Sequence, residues 1–191
     1  MRVLVSGFGP FLEEKVNPSE AMVQFVNSCS PERRKAWASI EVRGVTLPVD
    51  FEQAFPRLEK ERAEFQADVV LSFGLAAGRT AIEIEQLAVN FRGTIDPLAP
   101  ITLATTLPSD AIVADLLARG IPARPSLTAG TYVCNHLFFK LQDRLRFTRV
   151  RSGFIHVPRM APDGASPTAD HWPWQRFEDS VDSILATLAK E

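Results

Sequence analysis

The sequence predicts a three-layer α/β/α fold with a mixed, mostly parallel central sheet. Three observations carry that prediction. Short β-branched runs alternate with amphipathic stretches along 191 residues, 46% of them apolar and 23% charged, the balance of an ordinary one-domain globular chain. The first run, Arg2-Val3-Leu4-Val5-Ser6, is almost wholly apolar, as a strand covered on both faces should be. The last amphipathic stretch, Pro173 to Lys190, places Phe177, Val181, Ile184, Leu185 and Leu188 at helical spacing, an apolar stripe suited to closing one side of the sheet.

The elements follow in chain order. Asn17 caps a helix from Pro18 to about Asn27, with proline at its first position, where the missing N–H costs nothing. A second helix runs from Asp50 towards Phe65 and contains Pro56. Asp68-Val69-Val70-Leu71-Ser72-Phe73-Gly74 is a further buried strand, and Ala81 to Asn90 alternates as a strand does, one face carrying Glu85, Leu87 and Val89. Helices are expected from Ser109 to Leu117, ahead of Gly120, and from Thr131 to about Leu145. Gly153-Phe154-Ile155-His156-Val157 is a strand stopped by Pro158. A loop rich in Pro, Asp and Ala follows, from Arg159 to Asp170. There is no internal repeat and no low-complexity tract.

Composition removes several classes of function. Lys and Arg number 21 against 23 Asp and Glu, and no run of like charge is long enough to track phosphates or a lipid surface. Neither nucleic acid nor membrane is an expected partner. The opening Met-Arg-Val-Leu-Val-Ser-Gly is too short for a signal peptide or a span, so a cytoplasmic location is expected. Two cysteines, Cys29 and Cys134, fit isolated thiols better than a disulfide, and exclude a cysteine-cluster metal site.

Cys134 stands in Thr128-Ala129-Gly130-Thr131-Tyr132-Val133-Cys134-Asn135-His136, where a glycine precedes the first turn of a helix. Backbone N–H groups there have no intrahelical partner, and with the helix dipole they favour a thiolate and a developing oxyanion. Cys134 also shares a face with Leu137, Phe138 and Leu141, where a free cysteine is equally a small buried hydrophobe. A thiol nucleophile needs a base, and histidine is suited to that near neutral pH. His136, two residues on, points about 200° away on the same helix. His171 lies beside Trp172 and Pro173, a solvated or capping position. His156 closes a strand at the edge where open sheets collect ligands, and is otherwise a core histidine satisfied by one hydrogen bond. A carboxylate should orient the base. Glu85 is the candidate, although Glu83 has the same parity one step further out and both could simply decorate a strand end.

Two glycine loops remain. Gly7-Phe8-Gly9-Pro10-Phe11 lacks the spacing of a dinucleotide site, and its aromatics either wall a small ligand or anchor the loop. Gly74-Leu75-Ala76-Ala77-Gly78-Arg79 either approaches a substrate or turns a corner.

Taken together these stretches resemble the pyroglutamyl peptidase I family, the pyrrolidone-carboxylate peptidases, which are cysteine peptidases. The resemblance runs through Gly7-Phe8 with Pro10-Phe11, Asn17-Pro18-Ser19, Leu47-Pro48-Val49, Gly74-Leu75-Ala76 with Gly78-Arg79, Glu85 to Asn90, Gly120-Ile121-Pro122-Ala123, Thr128 to Leu137, and Gly153 to Pro158. It implies one such domain over residues 1–191, a hydrolase that removes N-terminal pyroglutamyl residues from peptides by acylation of Cys134. It implies His156 as base and Glu85, rather than Glu83, as the catalytic glutamate. Phe8, Phe11, Tyr132 and Val133 would wall the lactam ring and Asn17 would help to orient it. No cofactor or metal is implied, and assembly as a homo-oligomer, a tetramer, is.

The chain departs from that pattern in three places. It is shorter between Asn90 and Leu107-Pro108, retaining only Ile95-Asp96-Pro97 and Thr106-Leu107-Pro108 of a longer segment. An arginine that segment normally carries near the acyl group has no equivalent, with Arg92 displaced and Thr94 uncharged. Leu12-Glu13 replace a glycine pair and Gln86 an arginine. A divergent relative with another acyl or amide substrate, and a non-catalytic binding protein that keeps the pocket, are the alternatives.

Overall fold

Four strands run side by side in one direction: β2 (Glu41–Leu47), β1 (Arg2–Phe8), β3 (Val69–Leu75) and β8 (Arg151–Val157). Beyond β8 lie β4 (Ile82–Glu85), antiparallel to it, and β7 (Ala123–Ser126), parallel to β4. The sheet is therefore mixed and mostly parallel. These are the contents of a computed structural model describing residues 1–11, 16–93, 96–162 and 164–190. The departures at Leu12, Glu13, Thr94 and Ile95 lie outside the described residues.

Side chains alternate between two buried clusters, and this makes three layers. Val3, Val5, Leu71, Phe73, Ile155 and Val157 face α1 (Pro18–Ser28), α4 (Ser109–Ala118) and α6 (Trp174–Leu188). Leu4, Val70 and Phe154 face α3 (Ala54–Phe65) and α5 (Val133–Leu145) on the other side. The expected stripe of α6 is buried throughout, and Asn17 caps α1, its side-chain oxygen accepting from the Ser19 N–H at 3.0 Å. β1 continues two residues beyond expectation because Gly7 lets α1 lie against it; a Cβ there would sit 2.2 Å from the Ser19 carbonyl oxygen. α3 starts at Ala54 rather than Asp50. Asp50 instead turns the chain, its carboxylate accepting from the Glu52 and Gln53 N–H groups. Pro56 falls in the first turn of α3, where no intrahelical donor is required.

Three expectations are corrected. The strand from Ala81 to Asn90 is two strands, because the chain leaves the main sheet at Gln86. β5 (Leu87–Val89) pairs with β6 (Thr102–Ala104) in a separate two-stranded sheet, so Glu85 does not share a continuous face with Leu87 and Val89. The stretch expected as a loop after Pro158 contains β9 (Arg159–Met160), which pairs with β10 (His171–Trp172). His171 does not cap α6, whose N-cap is Pro173; its ring lies 3.1 Å from the Asp170 carboxylate. β2, with Gly44 and a charged, half-exposed face, and α2 (Pro31–Arg34) carry too little apolar periodicity to stand out. β7 holds Pro125 and is an edge strand, the place where a sheet accepts proline. Among the described residues no helix is long and apolar enough to cross a membrane.

Candidate active site

His156 is the penultimate residue of β8, and the strands on either side bring it its neighbours. In the antiparallel β4, Glu83 stands opposite His156 and Glu85 opposite Phe154, so both carboxylates share the imidazole's face of the sheet. Geometry separates the two acids. Glu85 Oε1 lies 2.7 Å from His156 Nδ1, while Glu83 accepts from Arg124 Nε at 3.0 Å and Nη2 at 2.5 Å and pairs with Arg79. Neither decorates a fraying end: Glu83 is 5% exposed and Glu85 fully enclosed.

In β3, on the other flank, Gly74 is the register partner of His156. Cys134 reaches the same spot from above. It is the second residue of α5, entered through Gly130 at φ 76° and an extended Tyr132, with no side-chain cap. Among the described residues no side chain caps that turn, so its N–H groups can meet a ligand. Its sulfur lies 3.1 Å from where a Cβ on Gly74 would be. Because paired strands run about 4.8 Å apart, thiol and imidazole are neighbours over adjacent strands. No thiol–imidazole hydrogen bond is formed among the described residues; such contacts commonly close only with substrate bound.

Gly74 thus makes room for the Cys134 sulfur. A Cβ would also meet the Phe154 ring at 2.7 and 2.9 Å. Gly74→Ala is expected to push ring and sulfur aside, destabilising the protein by about 1–3 kcal/mol and lowering kcat by about 10²-fold, the cost of misplacing a reacting group by roughly 1 Å. Thermal unfolding and initial rates would show it; an alanine variant with native kcat would contradict the packing.

Thiol and imidazole are both held in their uncharged forms. Burial pushes the Cys134 thiol up to about 12; its own backbone N–H draws it back, the Glu85 charge pushes it further and Arg79 opposes that. The residue keeps a partly open side towards the cavity, but protein encloses the sulfur elsewhere. Burial lowers the His156 pKa against the pull of Glu85, and Arg79 lowers it further. The resting pair is then a thiol and a neutral imidazole, with Nδ1–H donated to Glu85 and the Nε2 lone pair available.

A cavity of about 100 Å³ opens beside the sulfur. Phe8, Phe11, Asn17, Tyr132 and Val133 line it with Cys134, so all five expected ring-contact residues meet there. Val49 and Leu75 complete the wall and were not singled out from sequence. Leu75 is the last residue of β3 and Val49 lies two residues beyond β2, at the carboxyl ends of parallel strands where open sheets seat ligands; the sequence signals are Leu47-Pro48-Val49 and Gly74-Leu75. Phe11 packs on Tyr132 at 5.6 Å, and Phe51 meets Tyr132 edge-on at 5.2 Å. Asn17 Nδ2 donates to the Gly9 carbonyl at 3.0 Å, which fixes the glycine loop.

The other candidates lie elsewhere. His136 turns away towards Phe51 and a second cavity, shared with Arg92 and Lys140. Arg92 is held over the Phe51 ring at 4.7 Å and pairs with Glu52, so it does not line the first cavity. Cys29 ends α1 on the opposite face of the sheet, its sulfur accepting from Arg34 Nε at 3.4 Å.

A three-layer α/β/α sandwich with a thiol, an imidazole and a carboxylate gathered at its carboxyl edge has the architecture of a cysteine hydrolase. The pyroglutamyl peptidase family profile matches residues 1–189. A pyrrolidone-carboxylate peptidase of Clavibacter michiganensis subsp. michiganensis is 36% identical, over 98% of this chain and 92% of its own length. One from Gloeobacter violaceus is 40% identical over 83% and 82%. The crystal structure of Bacillus amyloliquefaciens pyroglutamyl peptidase I superimposes with a TM-score of 0.85 at 29% identity, covering 100% of this chain and 97% of that one. A mutant pyrrolidone carboxyl peptidase from Pyrococcus furiosus gives 0.82 at 32% identity, over 100% and 99%. The chain belongs to the pyroglutamyl peptidase family.

Proposed function

We propose that this protein is a cysteine omega-peptidase that removes the pyroglutamyl residue from the N-terminus of peptides, with Cys134 as nucleophile, His156 as base and acid, and Glu85 orienting the imidazole. The observation that carries it is the position of Cys134, on the wall of a small apolar cavity and next to a histidine whose far nitrogen is held by a buried glutamate.

A substrate ring seated among Phe8, Phe11, Val49, Leu75 and Tyr132 presents its exocyclic carbonyl to the sulfur. His156 Nε2 takes the thiol proton as the S–C bond forms, and Glu85 steadies the imidazolium. N–H groups in the first turn of α5 face the oxyanion, in the absence of a side-chain donor from Arg92. The imidazolium then protonates the departing amine, the peptide leaves, and a thioester remains on Cys134. Water, deprotonated by His156, attacks that carbonyl and releases pyroglutamate and the free thiol. Selectivity follows from the cavity. Its volume lies far below the roughly 300 Å³ at which drug-sized sites begin, and none of its described lining residues carries a charge for a free α-ammonium group, so a compact neutral lactam fits. Neither alternative, another acyl or amide substrate or a non-catalytic binding protein, has an observation of its own in the structure.

A fluorogenic pyroglutamyl amide should be hydrolysed, and the corresponding prolyl amide, which carries a charged ring nitrogen, should not. Iodoacetamide should abolish turnover. Because the thiol is pushed up to about 12, its alkylation rate should keep rising with pH above neutrality. A folded protein with no pyroglutamyl turnover would defeat the function, and an alkylation plateau below pH 7 would defeat the neutral-thiol resting state.

A further inference from the structure

Glu85 is held by more than its histidine. Arg79, in the loop between β3 and β4, sends Nη1 to Glu85 Oε1 at 3.0 Å and to Ser126 Oγ at 3.2 Å, and Nη2 to the Thr128 carbonyl at 3.0 Å. It also pairs with Glu83, which in turn pairs with Arg124. A chain of alternating charge therefore runs outward from the imidazole through Glu85, Arg79, Glu83 and Arg124. The Oε1 atom that meets His156 is the one Arg79 holds, whereas Oε2 is buried with no hydrogen-bond partner among the described residues. Among the described residues Arg79 is thus the one cation on a fully enclosed carboxylate that is otherwise held only by the imidazole.

We propose that Arg79 is a positioning residue of the reaction, pinning Glu85 Oε1 onto His156, with Glu83 as the counter-charge that fixes the guanidinium. This rests on the functional reading above. A buried carboxylate stripped of its cation is costly, and rotation about its terminal bond would move the charge off the imidazole. A planar fork donating to three groups at once suits arginine and not lysine. Arg79 also bears on proton affinity. Among the described residues the charged and titratable groups around His156 are Glu85 and Glu83 from β4, Cys134 from α5, Arg79 from the loop after β3, and Arg124 from β7 behind Glu83. Of these, Arg79 supplies the nearest positive charge, and it lowers the proton affinity of both His156 and Cys134.

The experiment compares Arg79→Met, Arg79→Lys and the double variant Arg79→Met/Glu83→Gln on a pyroglutamyl amide, each checked by thermal unfolding. The double variant removes both charges of the outer pair, so it stays informative if Arg79→Met alone leaves two facing carboxylates and fails to fold. A loss of about ten- to a hundredfold in kcat is expected, the range seen for outer partners of oriented histidines. KM should stay within about threefold, since Arg79 does not line the cavity. The acid limb of the kcat/KM profile should move to higher pH, because a positive charge that disfavours imidazolium is gone. Arg79→Lys, which keeps the charge but not the fork, should restore the acid limb while leaving kcat reduced. A folded double variant with native kcat would overturn the proposal. So would a kcat loss shared equally by the methionine and lysine variants with no movement of the acid limb, the pattern of a merely structural residue. Cys134→Ala is assayed alongside: if it still turns over substrate, the functional reading fails, whatever Arg79 does.

Discussion

Alanine at Cys134 or at His156 is expected to lower kcat on a pyroglutamyl amide by about 10⁵-fold or more, and alanine at both positions to lower it little further. The reason is that sulfur and imidazole act in one event. The thiol is pushed up to about 12, so without the imidazole almost no thiolate exists at neutral pH, and without the sulfur the imidazole has nothing to activate except water. What survives comes from ring binding in the cavity and the N–H groups at the start of α5, which neither substitution touches. Single-turnover rates for the two single variants and the double variant measure this directly. Losses that multiply in the double variant would mean that the groups work independently, contrary to their placement over paired residues of β3 and β8.

The second large effect concerns Glu85. Alanine there should cost about 10⁴-fold in kcat, as removal of the orienting carboxylate does in comparable triads. Glutamine should cost much less, about 10²-fold, for a reason specific to this site. Arg79 donates to the same Glu85 oxygen that faces His156, and would hold a glutamine carbonyl in that place, leaving the amide nitrogen at the position of unpartnered Oε2. The hydrogen bond and the tautomer persist; only the charge opposite the imidazolium is lost. Since Glu85 raises the His156 pKa, both variants should move the acid limb of the kcat/KM profile to lower pH. A glutamine variant as inactive as the alanine one would show that Arg79 does not control the orientation of this side chain.

The parts of this site that were legible in sequence are those set by local rules. Strand alternation places Glu83 and Glu85 on one face, the Asn-Pro pair starts α1, and helical phasing separates Cys134 from His136. The family resemblance then singled out Glu85, whose Oε1 lies 2.7 Å from His156 Nδ1. Illegible were the relations that exist only after strands from distant parts of the chain come together. Arg79 looked like the end of a turn, because its four partners come from β4, β7 and the segment after β7. Gly74 looked like either a corner or a substrate contact, whereas its hydrogen side chain clears space for a sulfur sixty residues later. The break at Gln86 was hidden because alternation continues through it while the pairing partner changes from β8 to β6.

The antiparallel seating of β4 against β8 has a consequence for how the molecule matures. Seventy-one residues separate Glu85 from His156, and a slip of one position would turn both acids to the opposite side of the sheet. Such a misaligned chain could still bury its isoleucines nearby and look compact, yet it would be inert. Recovery of turnover after dilution from denaturant therefore requires the correct register of this short segment, which collapse or helix content alone does not report.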